Sequence, residues 1–235
     1  MIICIETSTS ICSVALCDRR GVVALKEDSS GKSHASLLTV FIEELLKENG
    51  VEADNLEAVA VSKGPGSYTG LRIGVSVAKG IAYGSGLPLV AVDTTLSMLH
   101  GFKETMGDKY SFTDTDLFCP VIDARRMEVY TSVLRGDGTI IRETCAEIIT
   151  KDSFPEIPAT GRGRGFLFGN GAAKCVGILT RNNIVIETGY LVSAKSIYRE
   201  AYRKIELQQY EDTAYFEPFY MKDFIATKPV KNILR

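Results

Sequence analysis

Short apolar runs separated by polar turns open the chain, and the same order returns in its second half. Runs of this length, bounded by turn residues, predict strands. They cover residues 2–5, 11–17 and 22–25 in the first half and 118–122, 129–134 and 139–141 in the second. Glu6 and Asp123 hold equivalent places, each directly after the first strand of its unit. Two copies of one unit predict two lobes of similar fold, and a chance resemblance between hairpins is the alternative.

Apolar positions take helical spacing between these two units. Residues 35–48 predict a helix with a wide apolar stripe that includes Leu37, Leu38, Phe41 and Leu45. Residues 71–83 predict a second helix, in which one row has only small side chains and lies beside Ile73, Val77 and Ile81. Leu71 and Val75 of this helix also belong to the expected partner surface. The small residues are Gly70, Gly74, Ala78 and Ala82.

A row without bulky side chains lets another helix approach closely, which offsets the roughly 0.5–1 kcal/mol that a helical glycine costs relative to alanine. We therefore expect these two helices to pack against a partner as well as against their own sheet. The alternative is that both helices only cover their own sheet.

A polar segment near the middle of the chain predicts a boundary between two lobes. The segment 101–116 is polar and is interpreted as the boundary between an N-terminal lobe, 1–108, and a C-terminal lobe, 117–224. A last helix predicted over 192–209 could pack back on the first lobe, and 225–235 forms a tail. The run Gly161-Arg162-Gly163-Arg164-Gly165 is interpreted as a solvated loop, with contact to RNA as the less favoured alternative.

A glycine-rich loop follows the strand predicted over 58–61 and precedes the second helix. Its residues are Gly64, Pro65, Gly66, Ser67, Tyr68, Thr69, Gly70, Leu71 and Arg72. A glycine turn between a strand and a helix presents backbone amides to anions. Both known phosphate-loop spacings fail here, because Thr69 stands where a dinucleotide loop has its third glycine and the Walker spacing is also absent. The loop resembles that of a nucleotide protein without its phosphate-gripping residues.

Composition narrows the class of protein. The 235 residues carry a net charge of −2, so no strong basic footprint for nucleic acid is present. Six cysteines without a C-x-x-C pair suggest buried thiols in a reducing compartment. No apolar run approaches the roughly 20 residues of a membrane span. We expect a soluble, cytoplasmic protein that begins with a strand and does not contact a membrane.

Candidate chemistry is sparse. The two histidines are His34, at the start of the first helix, and His100, interpreted as a solvated loop residue. Neither has a nucleophile partner in sequence, and no transition-metal site is expected. Glu6, Thr7, Asp123, Gly169 and Gly171 could line a residual nucleotide cleft, because carboxylates at strand ends can hold Mg²⁺ or water. We expect no catalytic residue.

Four segments together resemble the bacterial TsaB (YeaZ) family. They are Ile5 to Thr9, Lys63 to Gly74, Ile122 to Tyr130 and Gly169 to Ala172, and the similarity runs from residue 1 to about 222. The resemblance implies an α/β fold of the actin/Hsp70/sugar-kinase-like superfamily, with two duplicated ribonuclease H-like lobes.

The resemblance also implies a function: a non-catalytic subunit in synthesis of N6-threonylcarbamoyladenosine at position 37 of tRNA. Its implied partners are the catalytic subunit TsaD and the ATPase TsaE, with tRNA bound through the complex and a homodimer when the chain is alone. The family's partner surface is the pair of helices at 35–48 and 71–83. No cofactor of its own is implied, since the complex uses ATP, threonylcarbamoyl-AMP and a metal held by TsaD. The alternatives are a stand-alone ATPase or kinase of the same fold and, less favoured, a peptidase.

Overall fold

The computed structural model describes residues 1–30, 34–158 and 163–222, and the predicted tail 225–235 lies outside them. These residues form two five-stranded mixed sheets and four α-helices. In chain order the elements are β1 (Ile2–Glu6), β2 (Cys12–Asp18), β3 (Gly21–Asp28), α1 (His34–Glu48), β4 (Ala58–Gly64), α2 (Tyr68–Gly84), β5 (Leu89–Asp93), α3 (Thr94–Tyr110), β6 (Leu117–Asp123), β7 (Glu128–Arg135), β8 (Ile140–Ile148), β9 (Gly165–Phe168), β10 (Ile184–Glu187) and α4 (Tyr198–Glu206).

The first sheet has the strand order β3-β2-β1-β4-β5. β1 runs antiparallel to β2 and parallel to β4, and β4 runs parallel to β5. The first four residues of β1 are apolar and the strand is buried on both faces, as a central strand covered on both sides must be. On one face its side chains pack with α1 and α2, through residues such as Leu38, Ile42 and Val75. The central strand thereby ends with Glu6 in the interior of the lobe.

The second sheet repeats this order as β8-β7-β6-β9-β10. β6 pairs antiparallel with β7 and parallel with β9, as β1 pairs with β2 and β4. The predicted duplication is confirmed and extends from three strands to five. The sequence pattern missed β9 and β10 because each is only four residues long. The fold is therefore a two-lobed α/β architecture with duplicated lobes, as expected.

α3 leaves the first sheet and packs on the second. Met98, Leu99 and Phe102 share a core with aromatic residues of β6 and β9, and the Phe102 and Phe168 rings stack with centroids 3.9 Å apart. The helix continues to Tyr110, into the segment interpreted as a boundary. The division of the chain at 108 and 117 stays a prediction, but a helix assigned to the first lobe contributes to the core of the second.

α4 packs in the opposite sense, on the free face of the first sheet. Ala201 and Tyr202 join a buried cluster with Ile2 and Cys4 of β1, and the Tyr202 hydroxyl donates to the Cys17 carbonyl oxygen at 3.3 Å. The helix predicted over 192–209 is shorter in the structure, since a single 3₁₀ turn, Ala194–Ser196, precedes it. α3 and α4 together join the two lobes.

The described part of the glycine–arginine run, 163–165, is packed. The Arg164 guanidinium donates to buried Asp116 at 2.6 Å, and a Cβ on Gly163 would lie 2.4 Å from the Thr115 carbonyl oxygen. Arg164 ties β9 to the segment before β6. The interpretation of 163–165 as a solvated loop is therefore wrong, because the Asp116 carboxylate needs this partner.

Candidate functional site

The turn after β1 is enclosed by the glycines of the loop and of α2. A Cβ on Gly66 would lie 2.4 Å from the Ser8 carbonyl oxygen, and one on Gly70 would lie 2.1 Å from the Thr7 carbonyl oxygen. A Cβ on Gly74 would lie 2.1 Å from the Thr7 hydroxyl oxygen. Only glycine permits this approach of two backbones. The spacing of these glycines therefore reflects the contact between α2 and the turn.

Backbone amides at the N-terminus of α2 donate hydrogen bonds to other atoms of the chain. Ser67 is the N-cap, and its hydroxyl accepts from the Gly70 amide at 3.2 Å. The Ser67 amide donates to the Ser8 carbonyl oxygen at 2.6 Å. A phosphate at a helix N-terminus binds to free amides of this kind. Here the Ser67 and Gly70 amides instead donate to atoms of the chain itself.

The rest of the loop contacts the C-terminal segment. Gly64 has a φ of +120°, and a Cβ there would lie 2.6 Å from the Phe219 carbonyl oxygen. The Phe219 amide donates to the Lys63 carbonyl oxygen at 2.7 Å, and the Tyr68 and Tyr220 rings lie 4.6 Å apart. Pro65 is buried, whereas Thr69 and Arg72 are exposed. The loop is thus held between the turn after β1 and the chain that follows α4.

Glu6 is fully buried at the end of β1. Its Oε1 accepts from the Ser8 amide at 2.6 Å, and burial raises its pKa despite the hydrogen bonds from Ser8. Its Oε2 has no hydrogen-bond partner among the described residues. A carboxyl group with these surroundings favours its protonated form more than an exposed glutamate does.

Asp123, at the end of β6, has a different environment. Its side chain is 43% exposed, and Oδ1 accepts from the Lys174 ammonium at 2.5 Å. The Lys174 Nζ also donates to the Glu128 carbonyl oxygen at 2.8 Å. The ammonium thus holds the carboxylate and closes the turn between β6 and β7.

Two glycines after β9 back this second turn. A Cβ on Gly169 would lie 2.5 Å from the Val121 carbonyl oxygen, and one on Gly171 would lie 3.0 Å from the Ile122 carbonyl carbon. The Asn170 side-chain oxygen accepts from the Asp123 amide at 3.0 Å. These residues, predicted to line a nucleotide cleft, hold the backbone of β6 through close contacts.

The histidines do not meet in a site. His34 begins α1, as predicted, and its Nε2 lies 2.8 Å from the Thr9 carbonyl oxygen. His100 lies within α3, and burial lowers its pKa, so its interpretation as a solvated loop residue is wrong. Within residues 1–30, 34–158 and 163–222 no three His, Cys, Asp or Glu side chains cluster as metal ligands would. In the same ranges no helix is long and apolar enough to cross a bilayer.

The predicted partner residues on α1 and α2 divide into two sets. Leu37 and Phe41 are half-buried. The others are buried in the chain's own core or against the turn after β1: Leu38, Leu45, Gly70, Leu71, Gly74, Val75, Ala78 and Ala82. The small-residue row therefore serves contacts inside the first lobe, with Thr7 above all. A partner interface on these helices stays a prediction, and it would have to use side chains that are exposed to solvent, unlike the buried majority of the predicted residues.

The outer face of α2 carries a second set of glycines. A Cβ at Gly80 or Gly84 would meet nothing within 4 Å, so packing inside the chain does not require glycine there. Ile73 and Val77 lie on this side half-buried, and Tyr83 is 85% exposed. The i,i+4 spacing in the sequence singled out Gly70 and Gly74, whose small size the contact with the turn after β1 explains. No contact inside the chain explains why glycine stands at 80 and 84.

Sequence reasoning also missed Lys174 and the C-terminal segment. The Lys222 ammonium pairs with Glu128 of β7, after Phe219 and Tyr220 have contacted the loop of the first lobe. The segment therefore bridges both lobes. No periodic pattern marks these contacts, because each joins residues that are far apart in the chain.

Comparison with known proteins agrees with this architecture. The structure of YeaZ from Pseudomonas aeruginosa superposes with a TM-score of 0.80 at 22% identity, covering 93% of this chain and 98% of that one. The two-lobed arrangement and its strand-end turns define a protein of the actin/Hsp70/sugar-kinase-like fold.

Sequence comparison then gives the family. The family model described as TsaD, tRNA N6-adenosine threonylcarbamoyltransferase, matches residues 24–155, more than half of the chain. The TsaB proteins of Escherichia coli and Bacillus subtilis, named for tRNA threonylcarbamoyladenosine biosynthesis, are each 32% identical. Those matches cover 58% and 60% of this chain and 55% and 58% of the relatives. The chain belongs to this family of TsaD and TsaB proteins, and it spans about half the length of the curated relatives that it matches.

Proposed function

We propose that the chain is a non-catalytic subunit of the machinery that makes N6-threonylcarbamoyladenosine at position 37 of tRNA. In this proposal it pairs with TsaD, acts together with TsaE in the cytoplasm and reaches tRNA through the complex. It holds no cofactor of its own, while the complex uses ATP, threonylcarbamoyl-AMP and a metal bound by TsaD. Membership of the family and the names of its TsaB relatives support this role.

The two strand-end turns support a non-catalytic role. The Thr7–Ser8 turn is filled by α2, and the Ser67 amide that would face a phosphate donates to Ser8. The Asp123 carboxylate is paired with the Lys174 ammonium, which occupies the side on which a cation would bind. A catalytic site needs groups that are free to act on a substrate. At these turns Glu6 Oε1, the Ser67 amide and Asp123 Oδ1 are engaged with the chain itself.

The main support for a partner interface comes from the side of α2 that faces away from the chain's own core. Gly80, inside α2, faces open space, and a glycine inside a helix costs roughly 0.5–1 kcal/mol relative to alanine. Packing against a second helix at this face would offset that cost. Val40 on α1 and Tyr83 on α2 add exposed apolar area to the same pair of helices. We place the TsaD interface there, and the same face can pair with itself when TsaD is absent.

Co-elution with TsaD tests this surface. Gly80→Trp adds bulk to the outer face of α2, where a Cβ would meet no atom of the chain within 4 Å, so the variant should fold and should lose binding to TsaD. Gly107→Trp is the matched control, because Gly107 also lies in a helix, α3, and also faces open space. Co-elution of the folded Gly80 variant at wild-type affinity would place the interface elsewhere.

The catalytic assignment has its own assay. The chain alone, given threonylcarbamoyl-AMP and unmodified tRNA, should produce no modified tRNA, and addition of TsaD and TsaE should restore the reaction. Turnover by the chain alone at the rate of the complete system would contradict the proposal. Elemental analysis of tag-free protein should find no stoichiometric transition metal, and one equivalent would contradict that part.

A further inference from the structure

A line of basic and aromatic side chains crosses from α2 to the turn between β6 and β7. The Arg72 guanidinium lies 5.5 Å from the centre of the Tyr68 ring, which contacts Tyr220. Two residues further along the chain, Lys222 pairs with Glu128 at the start of β7. The line therefore continues from one lobe to the other along the C-terminal segment.

The second lobe continues this line with two arginines. Burial raises the pKa of Tyr130, an effect that the charges of Lys222 and Arg125 oppose and the Glu128 carboxylate reinforces. Arg126 follows at the tip of the turn, and both arginines are exposed. No carboxylate among the described residues lies within ion-pair distance of the Arg72, Arg125 or Arg126 guanidinium.

The backbone of this turn is strained. Arg125 and Arg126 have φ values of +70° and +50°, a region that non-glycine residues seldom occupy because it strains the backbone. The turn is held in place because Asp123 Oδ1 accepts from the Arg125 amide at 2.6 Å. Lys174 in turn holds the Asp123 carboxylate. Strain maintained by surrounding contacts is typical of positions with a function.

We propose that Arg72, Arg125 and Arg126, with the aromatic residues between them, form an RNA-binding surface of this chain. Guanidinium groups match phosphate oxygens with two parallel hydrogen bonds, and exposed aromatic faces stack with unpaired bases. Phe219, 42% exposed beside Tyr220, is available for such a contact. The preference for RNA over another polyanion rests on the proposed function. The net charge of −2 means that attraction is local to this surface, so binding is weak and sensitive to salt.

Fluorescence anisotropy with labelled, unmodified tRNA tests the surface, on the chain alone and on its co-purified complex with TsaD. Arg125→Gln/Arg126→Gln removes two charges and should weaken binding at least fivefold at low salt. Loss of two phosphate contacts should also reduce the slope of log K against log salt by about 1.4. Arg72→Gln, at the other end of the line, should weaken binding in the same direction and does not touch the strained turn.

A matched control removes the same charge elsewhere. Arg20→Gln/Arg135→Gln changes two exposed arginines in the hairpins at the opposite ends of the two sheets and should leave binding unchanged. Binding of the Arg125/Arg126 variant with wild-type affinity would overturn the proposal. So would equal weakening by the control, or displacement of tRNA by poly-glutamate as readily as by single-stranded RNA, which would indicate an acidic protein partner. Co-elution with TsaD is scored separately, so failure of the proposed function is distinguishable from failure of this surface.

Discussion

The turns after β1 and β6 occupy the same position in two lobes of the same strand order, yet they are built differently. In the first lobe Glu6 is buried with a raised pKa, and α2 lies against the Thr7–Ser8 backbone. In the second lobe Asp123 is partly exposed and paired with Lys174.

The difference follows from the connections that leave each sheet. α1 and α2 lie on the first sheet, whereas among the described residues between β8 and β10 the helical segment is the short 3₁₀ turn Ala172–Cys175. A carboxyl group under two helices must be shielded within the chain, while one beside a short turn can remain at the surface and carry an ion pair. Strand order alone therefore does not determine the chemistry of a turn.

The largest expected effect is at Gly70. Gly70→Ala places a Cβ 2.1 Å from the Thr7 carbonyl oxygen, a backbone atom that cannot move freely, so we expect about 2–3 kcal/mol loss of stability. Gly80→Ala, in the same helix and facing open space, should instead stabilise the chain by about 0.5–1 kcal/mol. Urea unfolding measures both. Equal effects at the two positions would mean that α2 does not pack tightly against the turn.

The corresponding change in the second lobe should cost less. Gly171→Ala places a Cβ 3.0 Å from the Ile122 carbonyl carbon, so a small shift of backbone relieves the contact. We expect about 1–2 kcal/mol loss of stability by the same measurement. A loss as large as that of Gly70→Ala would remove the contrast between a sealed turn and an open one.

The ion pair of the second turn should contribute modestly. Lys174→Met keeps the length of the side chain and removes the bonds to Asp123 and to the Glu128 carbonyl oxygen. Because Asp123 is partly exposed, we expect about 1 kcal/mol loss of stability, reduced at high salt. No loss at low salt would show that the pair contributes nothing to the turn.

The smallest effect is a change of slope with pH. Because burial raises the pKa of Glu6 in the folded chain, its contribution is fully present at low pH. It is lost as pH rises from about 4.3, the ordinary glutamate value, through the raised folded pKa. Glu6→Gln should therefore gain stability relative to the wild type over that range, measured by unfolding from pH 4 to pH 8. Exposed Glu43→Gln is the control, and parallel curves for Glu6→Gln and the wild type would contradict the assignment.

Much of the fold is readable from apolar spacing. The stripe over 35–48 predicted α1, which begins at His34, and the repeated runs predicted the paired units that became two five-stranded sheets. These features are local, since they depend on whether side chains every two or every three to four residues share a face. Phe102 shows the limit: it lies in a segment interpreted as a polar boundary, yet its ring is fully buried on the second sheet.

The candidate site was only partly predictable. Gly70 and Gly74 stood out from their spacing in a helix, but the sequence left open whether a partner or the chain's own core would take the space beside them. In the structure the Thr7 carbonyl oxygen occupies the space beside Gly70, and the Thr7 hydroxyl oxygen occupies the space beside Gly74. Thr7 lies 63 residues before the first glycine and 67 before the second. Lys174, which pairs with Asp123, carried no signal at all.

By itself the sequence determined strands β1–β4 and β6–β8, the helices α1, α2 and α4, the duplication of the lobes and, through its glycine loop and Asp-Ala-Arg turn, the family. Tertiary structure alone decided which faces of α1 and α2 reach solvent, how α3 and α4 cross between the sheets, and which carboxyl group is buried. The physical reason is the separation along the chain of the residues that interact. Periodicity and turn chemistry act between neighbours in the chain, whereas burial, ion pairing and the close approach of Gly70 to Thr7 arise only when distant segments meet.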